Sequence, residues 1–143
     1  MGQAREAMDR LTEAMTKSRD KRSIAECFAE DAVATTPDGQ FRGRDDIAEY
    51  MGDFTVAVPD SAFDYEHAYE AGDTAIDEGF FHGTNTGPLK LPDGTTLAAT
   101  GKPVRIHGCD VATVKDGRIV DYRLYFDELD FLEQLGLAPA TAG

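Results

Sequence analysis

The sequence has no tryptophan, only two cysteines and three histidines, and few basic residues for its size. Its 14 lysines and arginines stand against 27 aspartates and glutamates, which gives a net charge of −13. Binding to nucleic acids or to anionic membrane surfaces requires clustered basic residues, so we expect neither partner. The spacing of Cys27 and Cys109 fits no zinc or redox motif, and the histidines have no paired spacing, so no metal site is expected.

Several recognisable segments are also missing. No apolar run approaches the roughly 18 residues that a membrane helix requires, and the N-terminus lacks the apolar core of a signal peptide. No glycine-rich loop opens a helix after a strand, and there is no Gly-x-Ser-x-Gly sequence. We therefore expect a cytoplasmic protein that uses no dinucleotide and no catalytic serine elbow.

Size and composition indicate one folded domain. The chain has 143 residues, of which 41% are hydrophobic, and this is enough to form a core without disulfides. We expect a single domain over residues 1–143, with a frayed tail at 138–143.

The N-terminal part of the chain has the apolar periodicity of helices. Residues 3–18 predict a first helix whose apolar face carries Ala4, Ala7, Met8, Leu11 and Met15. Ser23 and Glu26 form a capping-box pattern that predicts a second helix ending near Asp31. A third helix is predicted from Asp45.

The remainder reads mostly as strands. They are predicted at 32–36, 40–43, 61–71, 74–84, 103–115 and 118–127, with a long loop at 85–102 and a closing helix at 128–135. Because the helices precede most of the strands, the pattern indicates an α+β fold. A curved antiparallel sheet wrapped around the N-terminal helices would leave an open-mouthed pocket.

Several segments together carry a family resemblance. They are Phe28–Val33 with Pro37–Gly39, His82–Leu89, Thr100–Val104, Asp116–Val120, and Tyr125–Leu137. In order and spacing they resemble the SnoaL-like polyketide cyclases of the nuclear-transport-factor-2-like superfamily. One departure is Asn85, where many members of that family carry histidine. The resemblance implies a cone-shaped α+β fold that is often dimeric through its sheet.

The resemblance also implies a chemistry. Cyclases of this family close a polyketide ring by an intramolecular aldol reaction, with a carboxylate and no cofactor, whereas wider relatives include isomerases, dehydratases, epoxide hydrolases and proteins that only bind. The expectation is cofactor-independent acid–base chemistry on an apolar carbonyl compound. The alternative is a non-catalytic small-molecule-binding protein. A homodimer is expected from an apolar stripe in the last two strands: Val111, Val120, Tyr122, Leu124 and Phe126.

The last two predicted strands form a hairpin around Asp116-Gly117, a typical two-residue turn. Direct counting from that turn places Asp110 opposite Arg123 and separates a charged face from an apolar face. In one interpretation the apolar face is core and the charged face meets solvent. In the other the charged face lines the cone, and the resemblance favours this second interpretation.

The candidate catalytic residues follow from the second interpretation. Asp127 matches the carboxylate of the family and is the candidate base, although it is also placed to cap the closing helix. Arg123 would pair with Asp110 and orient the site, and Tyr125 would donate a hydrogen bond to an enolate oxygen. The candidate substrate-binding residues are Asp110, Glu78, His82, Tyr65 and Phe80.

Overall fold

The computed structural model describes residues 2–137, which form a mixed α+β fold. The helices are α1 (Gln3–Glu13), α2 (Lys21–Ala25), α3 (Arg44–Ala57) and α4 (Glu128–Gln134), and α1 continues into a π-helical turn at Ala14–Ser18. The strands are β1 (Phe28–Thr36), β2 (Gly39–Arg42), β3 (Ala62–Ala71), β4 (Thr74–Thr84), β5 (Leu89–Lys90), β6 (Thr96–Leu97), β7 (Pro103–Lys115) and β8 (Arg118–Phe126).

Six strands form one curved, unclosed sheet in the order β2-β1-β8-β7-β4-β3. All neighbours are antiparallel except β1 and β8, which run parallel. Helix α1 packs against β3, β4, β7 and β8, whereas α3 packs against β1 and β2. The predicted arrangement, a curved sheet around the N-terminal helices, is confirmed.

The first helix follows its sequence pattern, since Ala4, Ala7, Met8, Leu11 and Met15 are all buried. The second helix does not. It ends at Ala25, and Asp20 rather than Ser23 is its N-cap, accepting a hydrogen bond from the Ser23 amide at 2.8 Å. Residues from Phe28 onward, predicted to be helical as far as Asp31, belong to β1. Phe28 pairs with Ile119 of β8, and such tertiary contacts override local helix propensity.

The β7–β8 hairpin has the predicted turn but not the predicted register. Asp116 and Gly117 both have positive φ, and Lys115 pairs with Arg118 as expected. A bulge after Ile119 then inserts one extra residue, so that Asp110 lies opposite Leu124. The predicted pairing of Asp110 with Arg123 is therefore wrong, because a shift of one residue exchanges the two faces of a strand.

A second bulge bends the edge strand β3. The register between β3 and β4 shifts between Tyr65 and His67. At this point Gly79 of β4 crosses β3 so closely that a Cβ atom there would lie 2.1 Å from the carbonyl oxygen of Asp64. Only glycine permits this approach, which brings Tyr65 over the inner face of the sheet.

Two apolar clusters surround the inner face. The larger joins α1, α2 and α3 to the sheet, and the smaller joins the end of α3 to β7 and α4. Cys27 and Cys109 are both free; Cys27 is buried and Cys109 is half-buried. The predicted frayed tail at 138–143 lies outside the described residues.

Candidate functional site

A cavity of about 100 Å³ lies between the inner face of the sheet and the helices. Its wall is mainly apolar and aromatic and includes Met15, Met51, Phe54, Phe63, Phe81, Leu124, Phe126 and Phe131. Its ionisable lining residues include two carboxylic acids, Asp77 and Asp110, and the tyrosines Tyr50, Tyr65 and Tyr122. Such a lining binds a largely apolar molecule and leaves few groups to orient it.

Asp110 projects from the middle of β7 into this cavity. Tyr122, on the neighbouring strand β8, donates a hydrogen bond to its Oδ2 atom at 2.6 Å. Asp110 lies deep in the fold, yet it is only half-buried because part of its surface faces the cavity. Burial raises the pKa of Asp110 to about 7, although the hydrogen bond from Tyr122 acts in the opposite direction. The carboxyl group can therefore release and take up a proton near neutral pH.

Tyr65 reaches the same cavity from the edge strand. Its hydroxyl lies 2.9 Å from the hydroxyl of Thr12 on α1, and its ring stacks on Phe63. Burial and the charge of Asp110 raise the pKa of Tyr65, so the hydroxyl stays protonated and can donate a hydrogen bond. Tyr65 thus lines the cavity with 38% of its surface exposed, and its role in substrate binding stays a prediction.

Tyr50, on α3, lines the same cavity and also a smaller cavity beside α4. Its hydroxyl donates to Asp38 at 2.6 Å, and burial raises its pKa. A hydrogen bond with Asp38, together with burial, raises the pKa of Glu128 to about 7.

The three predicted catalytic residues do not line the cavity. Asp127 caps α4, where its Oδ1 atom accepts a hydrogen bond from the Asp130 amide at 3.0 Å. Arg123 and Tyr125 lie on the outer face of β8, and Tyr125 is 54% exposed. The bulge after Ile119 is the reason, since it turns Tyr122, Leu124 and Phe126 inward and their charged neighbours outward.

Of the predicted substrate-binding residues, Asp110 and Tyr65 both line the cavity. The side chains of the other three lie on the outer face of the sheet. Glu78 faces outward, 3.8 Å from His67, and His82 lies on the same outer face of β4. Phe80 contributes to the lining, but its ring stacks on His107 on the outer face. Strand alternation explains this, because residues 78, 80 and 82 share the face opposite to Asp77.

The bulge after Ile119 also explains the position of the apolar stripe from which a homodimer was predicted. Tyr122, Leu124 and Phe126 line the cavity rather than the outer surface. A dimer stays a prediction, and the exposed aromatic residues of the outer sheet face, Tyr69 and Tyr125, are the side chains that it would cover.

The outer position of Arg123 leads to a stability prediction. Its Nη1 atom lies 3.1 Å from Asp121, and both side chains are about two-fifths exposed. Exposed pairs contribute little, so Arg123→Ala is expected to lower the free energy of unfolding by less than about 1 kcal/mol. Denaturant unfolding followed by circular dichroism measures this. A loss of about 3 kcal/mol or more would mean that Arg123 is buried against a carboxylate.

Sequence reasoning missed two charged residues close to Asp110. Asp77 is the cross-strand neighbour of Asp110, and Arg5 of α1 pairs with it. The sequence contains a weak indication of both residues, because Asp77 alternates with Ala75 and Gly79 on one strand face and Arg5 adjoins the apolar face of the first helix. However, the sequence alone does not distinguish either charge from one that faces solvent, because it does not show how the helix packs on the sheet.

No helix in residues 2–137 is long and apolar enough to cross a membrane. Within the same residues no group of three histidine, cysteine or acidic side chains is arranged to hold a metal ion.

Comparison with known proteins identifies the family. TsrD from Streptomyces laurentii superposes with a TM-score of 0.76 at 21% identity, over 94% of this chain and 96% of that one. IdmH from Streptomyces antibioticus, a candidate polyketide cyclase, superposes with a TM-score of 0.74 at 25% identity, over 94% and 99%. A Catenulispora acidiphila protein described as having a ketosteroid isomerase-like fold has a TM-score of 0.73 at 19% identity, with 94% of each chain covered. No curated protein matches the sequence. A sequence profile of the SnoaL-like polyketide cyclases matches residues 6–135, and the chain therefore belongs to that family.

Proposed function

We propose that this protein is a cofactor-independent acid–base enzyme of the cyclase or isomerase type, acting on a small apolar carbonyl compound. Asp110 is the group that transfers the proton. The observation that carries the proposal is its position: a carboxyl with a pKa of about 7, held by Tyr122, in an otherwise apolar and aromatic cavity. A general base acts best when its pKa lies near the working pH.

The proposed reaction begins with a carbon acid. Ionised Asp110 takes a proton from the carbon next to a carbonyl group, and the electron pair of that C–H bond moves into the enolate, whose charge rests on the carbonyl oxygen. The protonated carboxyl then returns the proton to another atom of the product. Tyr65 is the proposed donor to the enolate oxygen, because its hydroxyl is protonated and lines the same cavity.

The lining supports a restricted class of substrate. The aromatic wall favours an unsaturated or ring-containing molecule, with its carbonyl end toward Asp110. The cavity volume of about 100 Å³ is smaller than the roughly 150 Å³ of an engineered protein cavity that holds benzene. A ring-containing substrate would therefore need side chains such as Phe131 to move.

The experiment tests proton exchange directly. A panel of aryl ketones, polyketide-like esters and ketosteroid-like enones is incubated with the protein in D₂O, and deuterium uptake beside the carbonyl is followed by NMR. We expect uptake faster than in buffer alone, with a rate that rises with pH and levels off above about 7, as Asp110 becomes ionised.

The alternative function is ligand binding without turnover. The apolar lining supports it equally, whereas the titration of Asp110 near neutral pH favours the enzyme. Thermal stabilisation of the protein by members of the panel, with no deuterium uptake by any of them, would favour the binding protein.

A further inference from the structure

A buried ion pair lies directly beside Asp110. The guanidinium of Arg5 on α1 contacts both carboxylate oxygens of Asp77 on β4, with a hydrogen bond of 2.9 Å from Nη2 and an ion-pair contact of 2.8 Å from Nη1. The Nη1 contact is close but lacks hydrogen-bond alignment. The side chain of Asp77 is completely buried, and that of Arg5 is 11% exposed. Because both charges lie away from water, removing one would leave the other buried without compensation.

Hydrogen bonds at both ends of the first helical turn fix the position of Arg5. Glu70, on the end of β3, accepts hydrogen bonds from the backbone amides of Gly2 at 2.9 Å and Arg5 at 2.8 Å. Glu70 thereby satisfies amides that have no partner within the helix. One turn later, Asp9 accepts a hydrogen bond from the Nε atom of Arg5 at 3.0 Å. The guanidinium is thus held over the sheet and cannot move freely to solvent.

Asp77 and Asp110 are direct cross-strand partners of the β4–β7 pair. Residues in this relation have Cβ atoms about 4.5–5.5 Å apart and share one face of the sheet. Two ionised carboxylates at that separation repel each other, and a cation beside one of them reduces the repulsion. The titratable and charged groups around Asp110 are Arg5 and its partner Asp9 on α1, Tyr65 on β3, Asp77 on β4, Cys109 on β7 and Tyr122 on β8.

We propose that Arg5 is a positioning residue that offsets the charge of Asp77, so that this buried carboxylate can lie beside Asp110 without opposing its ionisation. Arg5 offsets the negative charge of Asp77, so that Asp110 responds mainly to its burial and to Tyr122. Removing the cation alone leaves Asp77 to oppose ionisation of Asp110. Removing the carboxylate alone leaves Arg5 to favour it. The importance of the Arg5–Asp77 pair for catalysis rests on the proposed role of Asp110, whereas its effect on the pKa of Asp110 does not.

The experiment titrates Asp110 without any substrate. Carboxyl carbons are labelled with ¹³C, and the Asp110 signal, assigned by its loss in Asp110→Asn, is followed from pH 3 to 10 in the wild type, Arg5→Met, Asp77→Asn and the double variant. We expect the pKa of Asp110 to rise by about one pH unit or more in Arg5→Met and to fall by about one or more in Asp77→Asn. The double variant, which has no unpaired charge, should titrate close to the wild type.

Arg10→Met is the matched control. Arg10 lies on the same helix, is exposed, and donates to the carbonyl oxygen of Gly117 at 3.2 Å, away from Asp77. Its replacement removes the same charge and should leave the titration of Asp110 unchanged.

The titration distinguishes failure of the electrostatic proposal from failure of the proposed function. Equal pKa values for Asp110 in the wild type and Asp77→Asn, or a double variant that differs from the wild type as much as Asp77→Asn does, would overturn the proposal. This comparison does not need Arg5→Met, so it stands even if that variant fails to fold. If Asp110 titrates as expected while no carbonyl compound exchanges its proton, the electrostatic inference survives and the proposed enzymatic function does not.

Discussion

Asp110→Asn is expected to slow turnover of a carbonyl substrate by about 10²–10⁴-fold, the contribution typical of a general base. Asparagine has nearly the same shape and can still accept the hydrogen bond that Tyr122 donates at 2.6 Å. It cannot take a proton from carbon. The rate of deuterium uptake, compared between variant and wild type with the same substrate and pH, measures the loss.

The control variant is Asp127→Asn. Asp127 matches the carboxylate predicted from the sequence, but its side chain caps α4. Because asparagine caps helices about as well as aspartate, this variant should retain wild-type activity and stability. If Asp127→Asn abolished exchange and Asp110→Asn left it intact, the acid–base role would return to Asp127.

A stability measurement tests the state of Asp110 even before a substrate is known. Its pKa is about 7 in the folded protein, against 3.8 for an unperturbed aspartate, so the folded state binds the proton more tightly than the unfolded chain. The stabilising contribution is complete below about pH 4 and is lost as the pH rises through 7. Asp110→Asn should remove this part of the pH dependence and be at least as stable as the wild type at pH 8.

Asn85→Ala is expected to lower the free energy of unfolding by about 3 kcal/mol or more. Asn85 is 2% exposed, and its Nδ2 atom donates to the carbonyl oxygens of Ala57 and Gly87, each at 3.0 Å. Its Oδ1 atom accepts from the amide of Thr100 at 2.8 Å and from the hydroxyl of Thr100 at 2.9 Å. Each buried polar group left without a partner costs about 1–3 kcal/mol.

Asn85→Asp should be at least as destabilising, because a carboxylate would face two carbonyl oxygens to which the amide now donates. Thr86→Ala, at the exposed neighbouring position, is the matched control and should change stability little. Urea unfolding followed by circular dichroism suits a chain without tryptophan. A loss below about 1 kcal/mol in Asn85→Ala would show that the 85–102 loop does not depend on these hydrogen bonds.

The contacts of Asn85 place it outside the cavity. Asn85 does not belong to the cavity lining. It joins the end of α3 to both ends of the long loop, since its backbone pairs with Lys102 and Gly101 as well. Asn85 therefore has a structural role, which the sequence alone could not distinguish from a role in the pocket.

The helices and strands with strong periodicity were predictable. The apolar face of α1, the strand 74–84 and the Asp116-Gly117 turn all depend on local spacing and backbone conformation, and the structure has each of them. The start of β1 was not predictable, because its first residue, Phe28, pairs with Ile119 of β8, which is distant in the sequence.

A pocket was predicted with the charged face of the last hairpin as its lining, whereas the cavity wall is mainly apolar and aromatic. Asp110 and Tyr65 were among the candidates, while Asp127, Arg123 and Tyr125 were assigned to a pocket that they do not reach. Counting from the turn is correct for Lys115 and Arg118 and fails after Ile119, where one bulged residue reverses the faces of β8. Nothing in local propensity marks this bulge. It arises because Ile119 and Tyr122 can both face the core only if an extra residue separates them.

By itself, the amino-acid sequence determined the α+β class, through the periodicity and order of its segments, and the family, through the motifs that resemble it. Only the tertiary structure decided which carboxylate faces the pocket and which charges surround it. The physical reason is that both properties depend on the register of β7 against β8 and on the docking of α1, which carries Arg5 to Asp77 across a separation of 72 residues. Such contacts depend on burial and on close packing between distant segments, and no local pattern encodes them.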